Sequence, residues 1–280
     1  MGVDRILASS EQELKAQSAK YIAEKIKGFQ ESHSGNFILG LSGTNGQARR
    51  SRAQEVFEAL GRRDEVDWTR VRVFLVDERY GVKLEEDSNL WLVRNSLLKS
   101  LAASGVKFPE EHLLAPDTSI GSWEDCAADY ERRLLDLFAA EKAKGPQLVT
   151  MGLHSDSSIG SIFPEWYQAD PDRWKEATAR EFKVLCTQTS KFEVPQRIAV
   201  NLRVIRSSAT VMVWLKSGTD EAWQDATRSA SGSKLSAQDE HDDDTPRIGL
   251  QRSSTLAEVP GAWQFPLDYI MRHNYICVCQ

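Results

Sequence analysis

The stretch Met151-Gly152-Leu153-His154-Ser155-Asp156-Ser157-Ser158-Ile159-Gly160-Ser161-Ile162-Phe163-Pro164 decides how this chain is interpreted. An apolar run at 147–151 leads into it and is typical of a buried strand. Small and polar residues then take over until the chain reaches Phe163 and Pro164. Because ligand loops lie at the carboxyl ends of strands in open α/β sheets, the stretch is predicted to be a functional loop. It is called the signature loop (residues 151–164) below.

Similar apolar runs predict three further strands, at 37–41, 71–76 and 209–215. Segments with apolar residues three and four positions apart alternate with them and predict helices at 11–29, 53–60, 89–101 and 123–142. Alternation of this kind favours an α/β fold with a mainly parallel sheet covered by helices on both faces.

The composition is that of an ordinary soluble globular protein, with 280 residues, 41% hydrophobic and 27% charged, and predicts a single domain over 1–280. A net charge of −6 argues against nucleic acid as a partner, so any phosphate site must be local. Neither a transmembrane run nor the apolar segment of a signal peptide is apparent, which predicts an intracellular protein, cytoplasmic or organellar. Its four cysteines lack metal-ligand spacing.

The loop Leu41-Ser42-Gly43-Thr44-Asn45-Gly46-Gln47 follows one predicted strand and precedes a predicted helix. Its glycines would let backbone amides approach an anion at the helix N-terminus, as a phosphate site requires. Three arginines follow, Arg49, Arg50 and Arg52. They could clamp a phosphate or could belong to a solvated or partner-facing loop.

A second strand ends in Val76-Asp77-Glu78-Arg79-Tyr80 and is followed by Asp87-Ser88-Asn89. Asp77 and Arg79 at a strand end can orient a polar substrate, and Ser88 can cap the next helix. The alternative is an ion pair between Asp77 and Arg79 that only pins the loop.

The chain resembles the 6-phosphogluconolactonase family, whose loop reads Gly-x-Gly-x-Asp-Gly-His-x-Ala-Ser-Leu-Phe-Pro. Gly152, Asp156, Ser161, Phe163 and Pro164 match that loop. The resemblance continues in Ser42-Gly43, in Asp-Glu-Arg at 77–79 and in Pro195-Gln196-Arg197-Ile198. Related amino-sugar-phosphate deaminases carry tyrosine after the Asp-Glu pair, so Arg79 favours the lactonase branch. It implies a three-layer fold on a Rossmann-like sheet, with no cofactor and no metal.

The resemblance also implies residue roles and shows where they are lost. Ser42, Gly43, Asp77, Arg79 and Arg197 would bind the sugar phosphate, and Asp156 would work with the residue that activates water. That residue is a histidine in the family and Ser158 here. His154 lies in the same loop and could substitute for it, or could be a satisfied or solvated histidine.

A further departure concerns the family's second phosphate cation, because Glu221 replaces a lysine. These losses predict a catalytically degenerate protein that serves as a structural or binding subunit with protein partners in a larger assembly. The alternative is an active 6-phosphogluconolactonase that opens a sugar lactone of the pentose phosphate pathway.

Three segments that depart from the family are predicted to contact partners: 49–52, a probable exposed insertion at 229–254, and the tail Cys277-Val278-Cys279-Gln280. The tail also formally fits a prenylation signal. Tryptophans in plausible surface segments could adjoin such an interface or lie in the core; they are Trp166, Trp174, Trp223 and Trp263.

Overall fold

The computed structural model describes residues 3–6, 8–43, 52–83, 85–154, 156–215, 266–271 and 275–279. The strands are β1 Val3–Ile6, β2 Phe37–Leu41, β3 Val71–Leu75, β4 Asp77–Arg79, β5 Leu113–Leu114, β6 Leu148–Leu153, β7 Val184–Gln188, β8 Gln196–Val200, β9 Thr210–Leu215 and β10 Tyr275–Cys279. The helices are α1 Glu11–Ser32, α2 Arg52–Leu60, α3 Asn89–Val93, α4 Lys99–Ala103, α5 Trp123–Ala140, α6 Pro164–Gln168, α7 Pro171–Ala177, α8 Leu202–Arg206 and α9 Pro266–Met271. A π-helical turn, Arg94–Leu98, joins α3 to α4.

The main sheet has seven strands in the order β1-β10-β9-β6-β2-β3-β5, and all of its neighbouring pairs are parallel. All four strands predicted from apolar runs lie in this sheet, within two residues of their predicted ends. The predicted mainly parallel α/β fold is therefore confirmed.

Two hydrophobic clusters fill the space on the two faces of this sheet. Successive strand residues point to opposite faces, so Ile38 packs in one cluster while Leu39 packs in the other. The first cluster takes side chains of α5 to α9, and the second takes those of α1, α2 and the 89–103 helical segment. Helices thus cover both faces and give the predicted three layers.

A second, antiparallel sheet of order β4-β8-β7 carries several of the predicted site residues. The chain enters it straight from β3, since only Val76 separates β3 from β4. Buried Tyr130 fixes this exit, because its hydroxyl accepts from Leu75 N (3.0 Å) and donates to Leu75 O (2.6 Å). This second sheet was not predicted from the sequence, because β4 has only three residues and β7 mixes polar with apolar residues instead of forming an apolar run.

Strand β10 contains residues 277–279 of the C-terminal tail. Cys277 pairs with Asp4 of β1 on one side and with Met212 of β9 on the other. Because β10 is bonded on both edges, a partner could not add a strand beside 277–279, and the prediction that the tail contacts partners stays a prediction. Residue 280 and the predicted insertion at 229–254 lie outside the described residues.

Two of the four tryptophans that were considered for a surface are buried. Trp166 and Trp174 are each 5% exposed and belong to the cluster under α5 to α9, so the core alternative applies to them. Trp223 and Trp263 lie outside the described residues. Across the ranges that the structure describes, no helix is long and apolar enough to cross a membrane.

Candidate functional site

Asp77 joins three parts of the chain at the carboxyl end of the main sheet. Its Oδ1 accepts the hydroxyl of Ser42, which follows β2, at 2.6 Å. Its Oδ2 accepts the hydroxyl of Ser161, in the signature loop, also at 2.6 Å. All three side chains are buried, and bonds to a charged acceptor are stronger than neutral ones. Asp77 therefore holds the Ser42 loop and the signature loop together.

Glu78, the next residue, seats the helical segment that begins at Asn89. Its carboxylate accepts the backbone N–H groups of Asn89 (2.7 Å) and Leu90 (2.8 Å). Burial raises the pKa of Glu78 to about 6, although these N–H groups and the Arg79 charge oppose the shift. Ser88 caps the same helix as predicted, since its Oγ accepts from Trp91 N at 2.9 Å.

Gly43 packs so closely against Asn89 that a Cβ would clash with the Asn89 side chain. A Cβ at this position would lie 2.0 Å from Asn89 Oδ1 and 3.5 Å from Arg79 Nη1. Arg79 Nη1 donates to the same Asn89 oxygen, and Asn89 Nδ2 donates to Asp77 O at 2.6 Å. Asn89 thus bridges the Arg79 side chain and the backbone carbonyl of Asp77, while the Asp77 carboxylate bonds Ser42 and Ser161.

Arg197 lies directly opposite Arg79 in the antiparallel pairing of β4 with β8. Its side chain is 2% exposed; Nη1 donates to the carbonyls of Gln196 (3.0 Å) and Val194. Nε is buried and has no hydrogen-bond partner among the described residues. Burial, and then the like charge of Arg79, lowers the pKa of Arg197 to about 10. Two guanidinium groups opposite each other repel, so the pair is suited to an anion.

Asp156 and Ser158 form a second cluster within the signature loop. Asp156 Oδ1 accepts the N–H (3.0 Å) and the hydroxyl (2.7 Å) of Ser158, while Oδ2 forms an ion pair with Lys191. Burial acts to raise the pKa of Asp156, but the bonds from Lys191 and Ser158 outweigh it and hold that pKa below the ordinary aspartate value. The Asp156 carboxylate is therefore kept ionised, and both of its oxygens have partners.

The backbone of the signature loop turns sharply through three residues with positive φ. They are Ser157 (67°), Gly160 (52°) and Ser161 (60°). Left-handed backbone is costly for residues with a Cβ, and Ser157 stands where the family pattern quoted above has glycine. His154 pairs with Ser158 through its backbone, N–H to carbonyl, at 3.2 Å.

Ser161 also contacts the second sheet, because its carbonyl accepts the hydroxyl of Thr187 on β7 at 2.6 Å. The structure thus links Ser42, Asp77 and Ser161 and places Arg197 opposite Arg79. Gly43 lies against Asn89, the residue that bonds Arg79. Arg52 instead forms an ion pair with Glu11, which does not favour a phosphate clamp at that residue. Arg49 and Arg50 lie outside the described residues.

Sequence reasoning assigned no role to Lys191, Asn89 or Phe192. Lys191 and Phe192 belong to the loop between β7 and β8, a hairpin that was not predicted and whose residues form no motif. Asn89 was seen only as the start of a helix. Within the described ranges, no group of three or more His, Cys, Asp or Glu side chains could hold a metal ion.

Comparison with known proteins places the chain in a family. A model of the family described as glucosamine-6-phosphate isomerases/6-phosphogluconolactonase matches residues 9–246. The chain belongs to this family. A probable 6-phosphogluconolactonase of Dictyostelium discoideum is 31% identical over 189 residues, which are 67% of this chain and 72% of that protein. The 6-phosphogluconolactonase of Rattus norvegicus is 28% identical over 204 residues, 73% of each chain.

Solved structures agree on the fold of this family member. A 6-phosphogluconolactonase from Plasmodium vivax superposes with a TM-score of 0.70 at 19% identity, covering 99% of this chain and 90% of that one. A monomeric glucosamine-6-phosphate deaminase gives 0.64 at 14% identity, covering 99% and 96%. Both branches of the family therefore share the three-layer α/β architecture, and the chain is 6-phosphogluconolactonase-like.

Proposed function

We propose that this chain binds a sugar phosphate in a lactonase-type site without hydrolysing lactones at an enzymatic rate, and that it serves as a binding or structural subunit of a larger assembly. The observation that carries the proposal is Ser158. It stands where the family pattern has the water-activating histidine, and its hydroxyl is donated to Asp156 at 2.7 Å.

The missing step is proton abstraction from water. A positioned general base contributes about 10²–10⁴-fold to such a reaction, and its pKa should lie near the working pH. A serine hydroxyl is far too weak a base near neutrality. Asp156 is a poor substitute, because Lys191 and Ser158 hold its pKa below the ordinary value. Neither Ser158 nor Asp156 is therefore a suitable proton acceptor for lactone hydrolysis.

The binding half of the site is supported by Arg79 and Arg197. Their positions directly opposite one another favour a bound anion, which would offset their repulsion. Buried Arg197 Nε is a donor that a phosphate oxygen could satisfy. A sugar phosphate is thus a suitable ligand even where hydrolysis fails.

The test combines binding with turnover on the same purified chain. We expect 6-phosphogluconate to bind in calorimetry while lactone opening, measured by a coupled dehydrogenase assay, stays near the spontaneous rate. Arg79→Met should abolish binding, and exposed Arg132→Met serves as the matched control. Turnover near ordinary enzyme values, ~1–10³ per second, would contradict the proposal, as would the absence of any binding.

The assembly part of the proposal is tested by the mass of the native particle that carries this chain. A chain that has lost catalytic activity can still be retained because it binds partner proteins. A stable interface buries about 1,600 Å² in total, more than one short loop supplies. We expect a complex well above 31.5 kDa, and a free monomer would contradict this part.

The second candidate is an active 6-phosphogluconolactonase. The retained Asp156, Ser161, Arg79 and Arg197 favour it, as do the activities in the names of the relatives. His154 would then be the base, because it is the histidine of the signature loop. If turnover is found, His154→Ala should remove it while leaving 6-phosphogluconate binding unchanged.

A further inference from the structure

We propose that Phe192 is a specificity-determining residue whose aromatic ring receives the apolar face of a closed sugar ring. The inference rests on the proposed sugar-phosphate site and names the form of sugar that it takes. Phe192 lies in the loop between β7 and β8 (residues 189–195), one residue after Lys191 and five before Arg197.

The exposure of Phe192 is the first observation. Within the described ranges, two large apolar side chains are exposed, Leu135 at 43% and Phe192 at 37%. Leu135 lies on α5, outside the signature loop and the loop between β7 and β8. Phe192 is in contact with residues of the candidate site, so its exposed surface adjoins the site.

The neighbours of the ring place it between the two functional clusters. The Arg197 guanidinium lies over the ring, 5.7 Å from its centroid, and the ring of Phe163 in the signature loop lies 6.4 Å away at 51°. Lys191, the preceding residue, reaches Asp156. The ring therefore lies between Arg197, which would bind the phosphate, and the signature loop, which would face the reacting end of the sugar.

The loop that carries Phe192 is anchored rather than loose. Glu165 accepts from Ser190 N (2.8 Å) and Ser190 Oγ (3.1 Å), and Thr189 N donates to Pro195 O at 3.1 Å. An aromatic ring held in place loses little conformational entropy when a ligand covers it. This is a favourable platform for recognition.

A closed pyranose or six-membered lactone presents axial C–H groups on one face, which is apolar and flat enough to lie on an aromatic ring. Covering that face removes apolar surface from water, and the negative ring face attracts the C–H groups. An open-chain polyol phosphate carries the same phosphate but has no such face. The site should therefore prefer the closed ring.

The experiment compares glucose 6-phosphate, mostly a closed pyranose, with open-chain glucitol 6-phosphate by calorimetry. We expect Phe192→Ala to weaken binding of the ring compound about 3- to 10-fold and that of the open chain less than about 2-fold. Phe192→Tyr should retain the preference. Leu135→Ala is the matched control and should change neither affinity.

The outcomes separate this inference from the function on which it rests. If both probes bind and Phe192→Ala weakens them equally or not at all, the inference about Phe192 is wrong and the sugar-phosphate site stands. If the wild-type chain binds neither probe, nor 6-phosphogluconate, both are wrong. A thermal melt of Phe192→Ala close to that of the wild type shows that any loss arises in the site.

Discussion

The hydroxyl of Ser161 donates to Asp77 Oδ2 at 2.6 Å across 84 positions of sequence. The bond joins the signature loop to the first residue of β4, and the other carboxylate oxygen of Asp77 holds Ser42. Both partners are buried, so each oxygen depends on its serine for a hydrogen bond. The signature loop and β4 therefore form one structural unit.

Ser161→Ala is expected to lower the free energy of unfolding by about 1–3 kcal/mol, because it leaves a buried, charged oxygen without this donor. Urea denaturation at pH 7 measures the change. Ser119→Ala is a matched control, since Ser119 Oγ donates to Asp117 over the same 2.6 Å but in solvent, and should cost less than about 1 kcal/mol. Equal effects at the two sites would show that burial adds nothing to the Ser161 bond.

Ser157→Gly is expected to stabilise the fold by about 0.5–1 kcal/mol. Ser157 has φ of 67°, where a Cβ costs about 1–2 kcal/mol and glycine costs little, although glycine gains entropy on unfolding. The midpoint of urea unfolding should rise. Ser34→Gly, in an exposed turn outside the positive-φ set, is the control and should not stabilise. A fall in stability for Ser157→Gly would mean that its side chain makes a compensating contact.

The strands that the sequence predicted are those formed by contiguous apolar runs. The apolar runs at 37–41 and 209–215 correspond to strands β2 and β9, because five consecutive buried residues leave few alternatives in a covered parallel sheet. The Ser42, Asp77 and Arg79 positions came from motifs at predicted strand ends, and Arg197 came from the family resemblance. Their geometry agrees with a common site.

Lys191 and Phe192 could not be predicted in the same way. Their roles come from a hairpin that returns the chain onto the signature loop, and a contact between residues 35 positions apart leaves no local pattern. Strand β10 was not predicted either, because its place in the sheet comes from pairing with β1 and β9, which are far from it in sequence.

Glu78 should make stability depend on pH between about 4.5 and 6. Its pKa is about 6 in the folded chain against 4.5 for an ordinary glutamate, so the folded state binds the proton more tightly. The resulting contribution is complete below 4.5 and is lost as pH rises through 6. By linkage it amounts to up to about 2 kcal/mol.

Urea denaturation from pH 4 to pH 7 tests this for wild type and Glu78→Gln. The difference in unfolding free energy between them should shift by up to about 2 kcal/mol over that range, in favour of the variant at higher pH. Glu85→Gln, an exposed change just before α3, is the control and should show a flat difference. A flat difference for Glu78→Gln as well would mean that Glu78 titrates normally.

Removing the Lys191 charge should raise the pKa of Asp156. The ion pair and hydrogen bond from Lys191 oppose the effect of burial, which alone would raise that pKa. Carbon-13 NMR titration of the Asp156 carboxyl in Lys191→Met measures the change directly. Lys83→Met, which removes a cation from an exposed pair with Glu193, is the matched control and should leave the Asp156 titration unchanged. An unshifted Asp156 in Lys191→Met would show that Ser158 alone holds it.

Restoring the family histidine by Ser158→His should not restore full lactonase activity, even together with Glu221→Lys. Ser158 is 3% exposed and its hydroxyl and N–H are both bound to Asp156, so an imidazole must displace neighbours in a closed loop. Overpacking of this kind costs about 1–3 kcal/mol, and a misplacement of about 1 Å can cost ~10² in rate. The loop at 44–52 also departs from the family's phosphate loop.

We expect turnover in the coupled assay at least ~10²-fold below ordinary enzyme values, with urea midpoints for Ser158→His below that of the wild type. Ser158→Thr, which adds one methyl and no base, separates the packing cost from any gain in chemistry. Robust turnover from the double variant would show that the scaffold has kept its catalytic geometry and lost only two side chains.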